Sequence, residues 1–182
     1  MRHLALTWYA QLLTVLGMKA VAAAAFEDIT REFPRDARAW SSLGFLRAQA
    51  GELAPAIAAM EKAVQLKEDA PTLFNLAFVL QRAGRHGDAI ARFEQAIGKD
   101  RFLDRAWYGL GLSLAHEGRH EEAATKFEEA ARLQPMNPYA GYHLAAVSFK
   151  LGRHEKVRAE YERVKAFDPK VAERIRLDCG LV

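Results

Sequence analysis

Gly-Arg-His occurs three times, at residues 84–86, 118–120 and 152–154. Imidazoles repeated at a fixed interval invite a metal site, but ligation needs donors that converge within a few ångströms. Copies 34 residues apart belong to successive structural units, which keeps the three turns from meeting. His86, His120 and His154 therefore read as solvated turn residues that open helices. His3, His116 and His143 have no carboxylate or cysteine at ligand spacing. Two acidic pairs, Glu121-Glu122 and Glu128-Glu129, could in principle divide proton donation and acceptance between them. They fall in an amphipathic stretch and read as its solvated face. No phosphate-cradling glycine loop occurs, and the one H-E-x-x-H string, at residues 116–120, has Gly118 at its centre instead of the continuous helix that would set both imidazoles on one face. The expectation is a protein that is not an enzyme, with no metal, no cofactor and no small-molecule substrate.

Recognition is the chemistry that remains, and composition narrows its kind. The 182 residues are 51% apolar and 27% charged, as in a soluble folded protein. Ala, Leu, Glu, Lys and Arg dominate while β-branched residues are sparse, which favours helix. A formal charge of +3 allows weak attraction to acidic partners and does not read as nucleic-acid binding. The lone Cys179 excludes an internal disulfide.

The elements that would position a binding surface are repeated. Glycine recurs at Gly17, Gly51, Gly84, Gly118 and Gly152, at intervals of 34, 33, 34 and 34. Nine residues after each stands a bulky one: Phe26, Met60, Phe93, Phe127 and Tyr161. Between them lies a mostly small residue, Ala22, Ala56, Ala89, Ala123 or Val157, and a compact position follows at Ile29, Ala63, Ala96, Ala130 and Val164. Upstream run the pairs Tyr9-Ala10, Leu43-Gly44, Leu76-Ala77, Leu110-Gly111 and Leu144-Ala145. Trp40, Leu43, Gly44 and Arg47 share one helical face. Glycine ends that helix because it adopts the left-handed conformation without penalty. In the second helix the small and bulky residues stand at i and i+4, so two backbones can approach closely. Asp36 and Asn137 are expected N-caps, with Pro138 in a first turn. Pro34, Pro135 and Pro169 mark unit ends.

This pattern resembles the tetratricopeptide repeat (TPR) family, whose signature is W-x2-L-G-x2-Y, A-x3-F and P. Trp107, Leu110, Gly111, Ala123, Phe127 and Pro135 carry it best, followed by Trp40, Leu43, Gly44, Ala56, Met60 and Ala63. The resemblance implies an all-α, right-handed α-solenoid of five helix-turn-helix repeats with a short C-terminal capping helix. Residues 1–182 are expected to form a single domain, with repeats at about 3–36, 37–69, 70–103, 104–137 and 138–171 and a cap at 172–182. Gly141 stands where the last repeat should have its first large residue. The third repeat starts one residue early, near Pro71, so its join to the second is expected to be locally irregular.

At 100° per residue, one face of each first helix points away from the buried seam and should be polar. It carries Phe45 in the second repeat, Phe74 and Phe78 in the third, Tyr108 and Leu112 in the fourth, and Tyr139, Tyr142 and Phe149 in the fifth. Polar residues interleave them: Arg38, Gln49, Gln81, Arg82, Arg105, His116 and Lys150. In the TPR family these positions line a concave groove that receives a peptide or helix. Some of these rings could instead pack between adjacent first helices, Phe45 and Leu112 above all. The expected partner is another protein, contributing an apolar segment with acidic residues. Five helices about 10 Å apart would offer roughly 40–50 Å, enough for about 12–15 extended residues. Some TPR domains hold a chaperone's C-terminal carboxylate through lysine and asparagine; here the fifth positions are Thr7, Ser41, Phe74, Tyr108 and Tyr142, and only Asn75 matches the asparagine.

The amino-terminal segment has two readings. Arg2 precedes the apolar residues 4–18, and residues 21–25 resemble a cleavage site. Gln11 and Lys19 interrupt the run, and the same residues fit the repeat, so a retained helix in a cytoplasmic protein is expected. A targeting signal would make the protein periplasmic or membrane-associated instead. Leu4, Trp8, Leu12 and Leu16 form an i+4 stripe that no earlier repeat covers, although terminal repeats normally present a polar edge. It is either partly buried by its own repeat or a docking edge for a second copy, giving a homo-oligomer, for another subunit or for a membrane.

Overall fold

A computed structural model describes residues 1–181. Among the described residues there are eleven helices and no strand. The helices alternate between two roles. First helices are α1 (Arg2–Val15), α3 (Ala37–Gln49), α5 (Ala70–Arg82), α7 (Asp104–His116) and α9 (Pro138–Lys150); second helices are α2 (Lys19–Glu32), α4 (Leu53–Leu66), α6 (His86–Lys99), α8 (His120–Leu133) and α10 (His154–Lys165). The last, α11 (Pro169–Asp178), takes in three residues that the repeat spacing assigns to the fifth repeat.

The recurring glycines turn the chain between helices. At Gly51 φ is +85°, and the next amide, Glu52, reaches back to the Arg47 carbonyl at 2.9 Å. The same bond joins Arg119 to Leu114 at 2.9 Å beyond Gly118. This wrap satisfies carbonyls that a helix end leaves free, and a side chain would be strained in it. At the other ends, Asp36 accepts from the Arg38 and Ala39 amides, and Asn137 from Tyr139.

The 33-residue interval comes from a connection, not from a helix. Residues 67–69 join α4 to α5, one fewer than residues 33–36 between α2 and α3, while α3 and α5 have 13 residues each. The join is orderly rather than irregular. Asp69 and Thr72 form a reciprocal capping box at its end, and Pro71 sits in the first turn, where no intrahelical donor is required of it.

Small residues allow the close approach within pairs. A Cβ placed on Gly44 would lie 2.9 Å from Met60 Cγ, and one on Gly111 would lie 2.7 Å from Phe127 Cε1. The bulky residue of each second helix thus occupies the space a larger side chain would take. Outside the core, the Trp40 indole donates to the Pro34 carbonyl at 3.0 Å and that of Trp107 to the Arg101 carbonyl at 2.9 Å.

The chain divides into two compact units, Met1–Ala96 and Ile97–Val182. In the first, Leu13, Phe26, Ile29, Leu43 and Leu46 pack together, and Leu73, Leu76 and Phe93 are also buried. In the second, Leu110, Leu114 and Phe127 are buried, and α11 lays Val171, Ile175 and Cys179 against Ala145, Val157 and Val164. Full burial of a side chain such as Ile175 contributes about 1.5–3 kcal/mol. No helix among the described residues is long and apolar enough to cross a membrane.

Candidate functional site

In the first unit the exposed faces of α1, α3 and α5 border a pocket of about 480 Å³. Gln11, Thr14 and Val15 line it from α1, Ser41, Ser42, Phe45 and Leu46 from α3, and Asn75 from α5. Asn75 donates to the Ser41 hydroxyl at 3.3 Å, tying positions one repeat apart. Phe45 and Phe78 are exposed. Phe74 is not, at 8% exposure. Its ring lies 5.9 Å from Phe93 and 6.4 Å from Phe78, so it belongs to the core and corrects the expectation of a groove-lining ring. The reason is angular. Phe74 stands only about 60° round the helix from the buried Ala77 and falls on the margin of the seam. Arg38, Gln49 and Arg82 are exposed and Gln81 half-buried.

The second unit repeats this layering. Tyr108 and Tyr142, the counterparts of Phe74, are half-buried, whereas Tyr139 and Phe149 are exposed. Tyr108 packs 5.9 Å from Phe127 and 5.6 Å from His143. Burial, with a smaller contribution from Tyr139, raises the Tyr108 phenol above its ordinary pKa. The Tyr142 hydroxyl donates to Asp178 of α11 at 2.6 Å, while the Arg174 guanidinium sits 5.0 Å from its ring. That hydrogen bond is the main cause of a raised Tyr142 pKa. Leu112 is half-buried, and Arg105, His116 and Lys150 are exposed at the margins. His116 Nδ1 lies 3.9 Å from Glu117.

His143 is the residue sequence reasoning passed over. It stacks on Phe127 at 5.4 Å and meets Tyr142 edge-on at 5.0 Å. Burial, and then the positive charge of Arg174, push its pKa down to about 4, so the ring is neutral at pH 7. Its place two repeats after Asn75 was a usable signal. His3 also has a partner, Asp36, at 2.7 Å across 33 residues.

The acidic pairs are engaged in ion pairs. Glu121 meets Arg153 at 2.5 Å, Glu122 meets Arg119 at 2.7 Å, Glu128 meets Lys156 at 2.8 Å and Glu129 meets Arg132 at 2.6 Å. Hydrogen bonds from Arg119 and Arg132 hold Glu122 and Glu129 below the usual carboxylate range, which suits neither to proton donation. Among the described residues no group of three or more His, Cys, Asp or Glu could hold a metal ion. Leu4, Trp8, Leu12 and Leu16 are all exposed on α1.

A tetratricopeptide repeat model matches residues 5–71 and 74–138, and a second matches 114–177. The chain belongs to the tetratricopeptide repeat family. Solved structures of similar fold include YrrB, described as a TPR protein with an unusual peptide-binding site (20% identity, 93% of this chain and 89% of that one, TM-score 0.79). Others are MamA from Desulfovibrio magneticus RS-1 (17%, 92% and 95%, TM-score 0.85) and Pseudomonas aeruginosa PilF (19%, 96% and 83%, TM-score 0.82). No curated protein matches the chain. In this TPR protein the fifth-position rings are turned inward within each unit, Phe74 in the first and Tyr108 and Tyr142 in the second, and the rings that stand out sit at other positions.

Proposed function

We propose that this TPR protein is a non-catalytic adaptor or assembly scaffold that holds a peptide or helix of a partner protein on the aromatic faces of its first helices. One observation carries the reading: in each unit exposed rings share the first-helix faces with rings that are packed inward, with arginine or lysine at the margins. Phe45 and Phe78 do this in the first unit, Tyr139 and Phe149 in the second. Exposed rings offer large apolar contact at little entropic cost, and marginal cations favour a segment that also carries Asp or Glu. YrrB's peptide-binding site supports the reading by analogy of fold.

Selection from a displayed library of random peptides about 15 residues long tests it. Enriched peptides should combine apolar and acidic residues and bind more weakly as salt rises. Replacing Phe45 and Phe78, or Tyr139 and Phe149, by alanine should weaken the peptides selected on that unit by tenfold or more, with far-UV circular dichroism unchanged. A library that yields no binders, or binders indifferent to all four rings, counts against the proposal.

A further inference from the structure

We propose that the chain forms a two-fold homodimer in which α1 packs antiparallel against α1 of a second copy. Every other first helix whose packing lies within one unit is covered by the second helix before it: α3 by α2, α5 by α4 and α9 by α8. The matching face of α1 is open. Leu4 is 73% exposed, Trp8 67%, Val15 83% and Leu16 63%, with Leu12 between them. At 100° per residue these five span about 120° with no charged residue among them. Gln11 borders the face on one side and Arg2 on the other. Four of these five side chains are at least 63% exposed, and a contiguous apolar patch of this kind marks an interaction site; a stable complex buries about 800 Å² of each partner.

Three features favour a second copy as the occupant. An antiparallel crossing centred near Ala10 sets Leu4 against Leu16 of the copy and Trp8 against Leu12, so large faces large on both sides of the axis. The helix dipoles then oppose each other favourably. Arg2, 3.1 Å from Glu32 within its own chain, comes beside the carbonyl end of the other α1, where the last turn has no basic residue. A helix lying on a bilayer needs a strongly charged opposite face, whereas the opposite face of α1 carries Ala10 and Leu13 into the core.

Light scattering on the full chain at about 10–200 µM, the range that registers micromolar dimers, should read twice the 20.4 kDa chain mass. Trp8→Asp with Leu12→Asp should halve that mass and leave the helical circular dichroism signal intact. Val15→Glu, at the most exposed position of the stripe, should do the same and decides the matter if the double variant fails to fold. A wild type of one chain mass, a mass that climbs past two chains, or well-folded variants that remain dimeric would each overturn the proposal. So would a monomeric wild type that floats with phosphatidylcholine–phosphatidylglycerol vesicles.

Discussion

Arg163 of α10 donates to the Pro135 carbonyl at 2.8 Å, the place that the indoles of Trp40 and Trp107 take in their own repeats. Each tryptophan bonds the carbonyl six residues before it. In the fifth repeat that tryptophan position is Gly141, and the carbonyl six residues before it is Pro135. A Cβ on Gly141 would lie 2.7 Å from Val164 Cγ2 and 3.1 Å from Glu160 Oε2. The second helix has moved into the indole's space. Arg163, held by Glu160 at 2.8 Å, makes the missing bond from the other side.

Arg163→Ala should therefore destabilise the second unit by about 2–3 kcal/mol, because it leaves the buried Glu160 carboxylate without its partner. Urea unfolding measures the loss. Adding Glu160→Leu should recover part of it, since the orphaned charge then goes too.

Gly111→Ala should cost about 1–2 kcal/mol, overpacking against the Phe127 ring outweighing alanine's better helix propensity. Gly44→Ala should cost less, since its nearest neighbour is the flexible Met60 side chain rather than a ring. Thermal midpoints of the two variants give the ordering.

The histidine in the aromatic layer makes stability depend on pH. His143 has a folded pKa of about 4, below its ordinary 6.5, so the unfolded chain binds the extra proton first as pH falls. Its contribution is complete above about pH 6.5 and is lost on the way down to about pH 4, amounting to roughly 3 kcal/mol. Denaturation at pH 7 and pH 4.5 should show His143→Phe losing less stability than wild type over that interval.

Phe74→Ala and Phe45→Ala separate core from surface. The first should destabilise by about 3–5 kcal/mol through a cavity beside Phe93, and the second by no more than about 0.5 kcal/mol. Paired denaturation curves, read alongside peptide binding, show which ring serves which purpose.

The fold was legible because repetition multiplies a weak signal. One glycine says little, but five followed nine residues later by a bulky side chain give turns, pairing and close approach together. Asp36 and Asn137 were legible as caps because capping is local chemistry. Phe74 was not, since a position about 60° from the seam is settled by how much room the opposing helix leaves. Arg163 was out of reach for a related reason: its partner lies 28 residues away and stands in for a residue of another type. His143 looked inert by ligand spacing, yet its setting is two rings from other helices, Tyr108 and Phe127, besides that of its neighbour Tyr142. The shortened connection at 67–69 showed in the interval, although its orderly geometry depends on how Thr72 and Asp69 bond to each other.

Cys179 closes α11 and is buried with Ile175 and Val171, and burial, with Asp178 beside it, raises its thiol pKa. Because it is the protein's one cysteine, a maleimide added under native conditions will find no ready target. Slow labelling at Cys179 then clocks the detachment of the last helix separately from global unfolding, and a fluorophore can be installed at any new surface cysteine without first deleting the native one.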